Sequence, residues 1–323
     1  MLRAFFLKRW FLVALVSVLA IGFSSAQQLA DAADAVPKNL IVGSVLFMMA
    51  VSLDATAIWS ALRHPAAVLL AIAINFLFLP LAAWLISGWV RPDLAIGMLV
   101  VGAVPSTLTA AAVWTRRAGG NDAVALLVTV STNLSCFVVT PLWLWTTTGA
   151  SAQLPLDRMI SRLAVLVLLP TTMAQVIRLY RPLGAWAIEK KPLLGVLAQC
   201  GILSIVMVGA INAGLDLGRS DSIIGLQGWG GMLLGVVGLH LTMLVVGHAA
   251  AQSLGISRED RIAVGFSGSQ KTLMIGLLVA LQFGGLAMLP MIAYHVCQLL
   301  TDTLIADWLR RRGEQLAASA TAV

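Results

Sequence analysis

Apolar runs of 15 to 25 residues recur from one end of this chain to the other, separated by short polar or charged stretches. The runs are continuous rather than alternating, which selects helices over strands. About 20 apolar residues carry a helix across the hydrocarbon of a bilayer, so the pattern makes lipid the solvent for most of the chain. The predicted spans are 10–24, 39–53, 66–88, 94–115, 123–146, 160–178, 194–217, 229–252, 261–283 and 287–308. The first two are short and must tilt or draw on flanking residues. Ten spans divide into five plus five, residues 1–150 and 151–312. An odd number per repeat sends the second half into the membrane from the opposite side. The expected fold is an all-α polytopic membrane protein, one membrane unit built as a 5+5 inverted repeat. The small, polar stretch 313–323 is expected to be a disordered cytoplasmic tail.

Two runs are interrupted by small and polar residues at matching places in the two halves. Span four carries Val104-Pro105-Ser106-Thr107-Leu108-Thr109, and span nine carries Gly265-Phe266-Ser267-Gly268-Ser269-Gln270-Lys271-Thr272. At 1.5 Å per residue, Pro105 lies about 16 Å from one face and Ser269 about 12 Å from the other. Both therefore approach the midplane of a hydrocarbon core of about 30 Å. Pro105 removes a backbone donor, and Gly265 and Gly268 permit unwound backbone. Taken singly, each break reads as an ordinary kink. A matched pair is the sequence signature of a transporter's binding site, where half-helix N-termini attract anions and free carbonyls attract cations.

Lys271 stands out, because a central lysine costs about 2.5–3.5 kcal/mol on insertion scales and needs a partner or a cavity. Span ten offers His295, Gln298 and Asp302 on one helical face, and Asp302 is the expected counter-charge of Lys271. In span five, among Thr129, Ser131, Thr132 and Ser135, Asn133 is the strongest candidate, since a buried amide wants several partners. Asn75, in span three, and Gln175, in span six, are weaker candidates. His240 and His248 read as core histidines. The candidate substrate or ion set is Pro105, Ser106, Thr107, Thr109, Asn133, Ser267, Ser269, Gln270, Lys271, Thr272, His295, Gln298 and Asp302, with no catalytic and no metal-ligating residue.

Composition agrees with the bilayer reading: 59% hydrophobic, 11% charged, mean hydropathy +0.94. The net charge of +7 does not point to nucleic acid, because the basic residues cluster between spans. With both termini cytoplasmic, fifteen Lys and Arg lie inside and five outside, the expected positive-inside bias. That places the protein in a plasma membrane, the inner membrane if bacterial. Cys136, Cys200 and Cys297 fall within spans without metal-site spacing and read as packing residues. The basic start, the apolar stretch from Trp10 to Phe23 and Ser24-Ser25-Ala26 also fit a cleavable signal peptide, which would leave nine spans.

The run from Pro105 through Trp114-Thr-Arg-Arg-Ala-Gly-Gly-Asn-Asp-Ala123 to Asn133 and Thr140-Pro141 resembles the bile acid:sodium symporter superfamily, and within it the SBF-like CPA transporters. Gly265–Leu273, Leu289-Pro290, Tyr294-His295 and Asp302–Asp307 continue the likeness, and Phe5–Trp10 supports keeping the first span. The resemblance implies a panel domain, a core domain with crossed broken helices, and movement of organic anions, often with sodium. In sodium-coupled members it implies ligands from a Ser-Asn pair after the fourth-helix break and from a Glu and Gln at the ninth. Here those positions read Ala110-Ala111 and, for the Glu, Gly265, while Lys271 stands where a small polar residue is usual. The expectation is a secondary carrier of a small organic anion with no cofactor, in which the Lys271 ammonium takes the place of a coupling sodium. A homodimer stays open. Two other readings stand: a cation/proton antiporter using Asp302, and a rhomboid-like intramembrane serine protease in which Gly265-Phe-Ser267-Gly268 supplies the nucleophile and His295 the base.

Overall fold

The computed structural model describes residues 2–53, 62–148, 155–219 and 224–321, and every regular element among them is helical. In chain order the helices are α1 Leu2–Ser24, α2 Ala26–Ala35, α3 Lys38–Val51, α4 Pro65–Ser87, α5 Pro92–Ala103, α6 Ala110–Arg117, α7 Asp122–Thr148, α8 Leu156–Leu179, α9 Arg181–Glu189, α10 Lys191–Arg219, α11 Leu226–Ser253, α12 Arg258–Ser269, α13 Leu273–Ala280 and α14 Met288–Thr321. Seven stretches are long and apolar enough to cross a membrane: α4, α7, α8, α10, α11, α14 and Arg258–Ala280 taken across its break. An eighth is added if α1 and α2, which meet at a 110° bend, count together, while Lys38–Val51 and Leu94–Ala103 are shorter apolar helices.

The helices form two packed groups. In the first, α10 lies against α1, α2 and α3, and α3 against α8. In the second, α4, α5, α6 and α7 pack with α11, α12 and α14. Large apolar side chains face outward over much of the surface, among them Leu40, Leu69, Leu85, Leu234 and Leu304. Trp89, Trp145 and Trp186 are exposed towards helix ends, as aromatic residues are at a membrane interface. This is the surface of a multi-pass membrane protein.

Prolines shape the long helices. In α4 the stretch Ile74–Phe78 widens into a π turn just before Pro80, and α8 repeats the device with Ala164–Leu168 before Pro170. Proline has no N–H and its ring crowds the preceding turn, so one extra residue per turn relieves the clash and frees carbonyls. In α4 the Leu79 N–H bonds Ile74 O, and Phe76 O accepts from Trp143 Nε1 at 2.7 Å. Asn75 O is left for a partner outside the helix.

Two expectations are corrected. The stretch 313–323 is not an irregular tail through its described part, because α14 continues to Thr321. Glu314, Gln315, Leu316, Ala317 and Ala318 are good helix formers, and Arg310 pairs with Glu314 one turn on. The second break is also shorter than its glycines predict. Gly265 and Gly268 stay inside α12 and serve close packing, since a Cβ on Gly268 would come within 2.9 Å of Ile74 Cγ2 and one on Gly265 within 3.3 Å of Leu244 O.

Candidate functional site

Helix α5 stops at Ala103, residues 104–109 run as irregular backbone, and α6 begins at Ala110. Helix α12 stops at Ser269, residues 270–272 are extended, and α13 begins at Leu273. The two breaks touch directly, with Thr272 N–H donating to Pro105 O at 2.9 Å. Buried carbonyls released by such breaks need donors, and side chains supply several of them. Ala103 O accepts from Thr140 Oγ1 at 2.8 Å, and Ser106 O from Asn133 Nδ2 at 2.8 Å. In the second break Asn75 Nδ2 donates to Ser267 O, Gly268 O and Gln270 O at 3.0–3.3 Å. Tyr294 Oη–H donates to Ser269 O at 2.6 Å, and the Gln298 amide brackets Lys271, accepting from its N–H and donating to its O, both at 3.0 Å.

Three further carbonyls are held by Lys271. Its Nζ donates to Asn75 O at 2.8 Å, Gly102 O at 2.8 Å and Val104 O at 2.7 Å, with Asn75 Oδ1 at 3.2 Å. The Phe76 ring centroid lies 5.9 Å away, within range of a cation–π contact. The shell is made only of acceptors, which suits the three donors of an ammonium. It also gathers the negative end of the α5 dipole around a positive charge.

This overturns the expected Lys271–Asp302 ion pair. Asp302 is fully buried and held instead by His240 Nε2 at 2.8 Å and Gln270 Nε2 at 2.5 Å. The two charges leave their backbones in different directions, Lys271 towards α4 and α5, Asp302 towards α11. Thr107 Oγ1 donates to Gln270 Oε1 at 2.6 Å and accepts from Ala111 N–H at 2.9 Å. Thr107, Gln270, Asp302 and His240 are therefore one chain of hydrogen bonds. His240 is a satisfied core histidine, as its position implied, whereas His248 is only half-buried.

A cavity of about 280 Å³ separates the two helix groups. One wall carries Thr107, Thr109 and Ala110 at the start of α6, Thr272, Leu273 and Met274 at the start of α13, and His295. The other carries Met48 and Ser52 of α3 and Lys191, Gly195 and Gln199 of α10, with Phe11 of α1. Both half-helix N-termini thus face one space. Lys271 does not line it, so the ammonium is not a direct ligand for anything held there. Ser267 and Ser269 also point elsewhere, their hydroxyls donating to Ala263 O at 2.6 Å and Gly265 O at 2.8 Å within α12. His295 contacts Gln298 Nε2 at 2.9 Å and Phe11 edge-on. With Ser267 Oγ and His295 each committed to other partners, the geometry gives no support to a protease dyad. Ser106 Oγ and Asn133 Oδ1 are buried without a hydrogen-bond partner among the described residues, and Gln175 Nε2 donates to Ala50 O at 2.6 Å.

Comparison with known proteins gives this geometry a context. The sequence model of the SBF-like CPA transporter family matches residues 9–311. The chain belongs to that family. It is 24% identical over 336 residues to sodium/bile acid cotransporter 7 of Xenopus tropicalis, covering 96% of this chain and 95% of the relative. Against the mouse protein of the same name the identity is 26%, covering 96% of each. An uncharacterised protein of Pseudomonas aeruginosa is 31% identical over 296 residues, covering 88% of this chain and 87% of the relative. This SBF-like transporter is thus a member of the bile acid:sodium symporter superfamily.

Sequence reasoning undervalued Asn75 and did not see Tyr294 as a partner of the ninth-helix break. For Asn75 the signal was a lone amide in an apolar run; in a regular helix Pro80 would free Phe76 O, and only the π turn shifts that loss to Asn75 O.

Proposed function

We propose that this SBF-like transporter is a secondary carrier for a small organic anion, working by alternating access. The observation that carries the reading is the convergence of two half-helix N-termini, at Ala110 and Leu273, on one cavity between the two helix groups. The first N–H groups of a helix have no partner in their own turn, and the helix dipole adds positive potential there. Thr107, Thr109 and Thr272 add hydroxyls that turn to suit an oxyanion. The names of the relatives, sodium/bile acid cotransporters, point to the same substrate class.

Counting α1, α3 and the α5–α6 pair with the seven long spans gives ten, which divide into an inverted five-plus-five repeat. Both termini then lie in the cytoplasm by the distribution of Lys and Arg. The group formed by α1, α2, α3, α8 and α10 rocks against the other around the fixed site. Lys271 acts as a built-in cation. It holds the carbonyls that an inserted sodium ion would otherwise coordinate, so transport requires no sodium at that place. The site needs no cofactor.

A thermal-shift screen of organic carboxylates and sulfonates in detergent tests the reading. An anion present at a hundred times its Kd stabilises by about 2.7 kcal/mol, and Thr107→Val together with Thr272→Val reduces the shift. Stabilisation by inorganic cations and by no anion would refute it. Buried Asp302 favours one second reading, a cation/proton antiporter. Proton flux reported by a trapped dye on adding sodium or potassium would then appear without any organic anion.

A further inference from the structure

Asp302 and His240 are both fully buried; among the described residues His240 is the one ionisable side chain hydrogen-bonded to Asp302, while His240 itself contacts Asp302 and, more distantly, Tyr294. A carboxylate taken out of water without a counter-charge is very costly, and Lys271 is committed to carbonyls elsewhere. His240 Nε2 lies 2.8 Å from Asp302 Oδ1; a carboxylate oxygen can only accept, so opposite a carboxylate a neutral ring carries its proton on Nε2 and its lone pair on Nδ1. That nitrogen lies 3.4 Å from Ser269 O and 3.5 Å from Tyr294 Oη. The Tyr294 proton is already given to Ser269 O. Both neighbours of Nδ1 therefore present lone pairs, and a proton placed there has acceptors waiting at the end of their reach.

We propose that the His240–Asp302 pair is a proton-binding site, and that this carrier couples anion movement to protons through it. The inference rests on the anion-carrier reading and names its coupling ion. A hydronium ion gives one proton to the His240 Nδ1 lone pair and is left as water, one O–H bond breaking as one N–H bond forms. The resulting imidazolium is paired with the Asp302 carboxylate. The link to the cavity is the chain Asp302–Gln270–Thr107. An anion that takes the Thr107 hydroxyl removes the donor to Gln270 Oε1, which loosens the amide that steadies Asp302. Occupancy of the cavity and protonation of the pair then bias the same arrangement of the breaks.

The other titratable groups on elements packed against the pair are few. Helix α14 itself brings Tyr294, His295 and Cys297, with Asp307 paired to Arg117 of α6 and, further along, Arg310, Arg311, Arg312 and Glu314, of which Arg310 and Glu314 pair with each other. Arg116 of α6 pairs with Asp122. Helix α11 brings His248, and α10 brings Lys191, Cys200 and Asp216. The start of α12 brings Arg258, Glu259, Asp260 and Arg261, and the second break brings Lys271. Helices α4 and α13 bring none.

The test needs no identified substrate. Spin labels at Gly43→Cys and Gly238→Cys, where an added Cβ meets nothing within 4 Å and which do not line the cavity, report the separation of the two helix groups in lipid. The background has Cys136, Cys200 and Cys297 replaced by alanine. Between about pH 5 and about pH 8, the ratio of near to far populations should change at least about fivefold, the low end of ordinary coupling. His240→Gln and, independently, Asp302→Asn should abolish that change, Tyr294→Phe should shift its midpoint, and His295→Gln should leave it intact. No change with pH in the labelled background, or an unchanged response in His240→Gln or Asp302→Asn, overturns the proposal. A response lost in His295→Gln assigns the proton to the cavity histidine and also overturns it. Failure of the anion screen with this pH response intact would sink the anion reading while sparing the proton site.

Discussion

Replacing Lys271 by Met keeps most of the side-chain length and removes the charge and all three donors. Four oxygens then lose their partner: Asn75 O, Asn75 Oδ1, Gly102 O and Val104 O. A buried polar group left unsatisfied costs about 1–3 kcal/mol, so four at a middling 2 come to about 8 kcal/mol. Against this stands relief from burying a central lysine, about 2.5–3.5 kcal/mol. The expected net loss is about 5 kcal/mol, close to the cost of removing one member of a buried ion pair. At about 2 °C per kcal/mol for a chain of this size, that is a fall in Tm of about 10 °C. Tryptophan fluorescence followed through a thermal melt in one fixed detergent measures it. A Lys271→Met protein that melts within about 1 °C of wild type would show that the ammonium is not what satisfies the two breaks.

Three further outcomes follow from the same contacts. Lys271→Ala opens an oxygen-lined hole, so sodium chloride should raise its Tm over choline chloride at equal ionic strength, whereas wild type should melt alike in both. Asn75→Leu strips Ser267 O, Gly268 O and Gln270 O of their shared donor and should cost about 2–4 kcal/mol in denaturant or thermal unfolding. Gly97→Ala places a Cβ about 2.5 Å from Ala287 O and should force α5 away from α14 at about 1–3 kcal/mol, while Gly195→Ala should be neutral in the same melt.

Much of this arrangement is legible in the sequence, and the reasons for the rest are physical. Pro105 and the polar run after Gly268 announce both breaks because a proline and a cluster of hydrogen-bonding residues have no place in a plain lipid-facing helix. Lys271 announces itself by its cost. Its partner does not, because oppositely charged residues on neighbouring helices invite pairing, whereas backbone carbonyls carry no letter in the sequence. Only the π turn before Pro80 turns Asn75 O outward, and a widened turn is a consequence of packing as much as of composition. Gly265 and Gly268 mislead for a related reason. Glycine serves unwinding and close helix contact equally well, and which of the two applies depends on whether Leu244 and Ile74 stand opposite. The helical continuation of α14 to Thr321 was readable from its alanines and glutamine but looked too polar to be ordered beyond the bilayer.

The central claim is that an ammonium fixed among carbonyls and two helix N-termini facing one cavity make an anion carrier that needs no sodium at the Lys271 position. The most direct measurement is uptake into proteoliposomes of the radiolabelled organic anion that stabilises the protein most, in sodium buffer and in choline buffer. The account predicts saturable uptake at closely similar rates in both. Uptake that vanishes in choline, or no uptake of any stabilising anion, would contradict it.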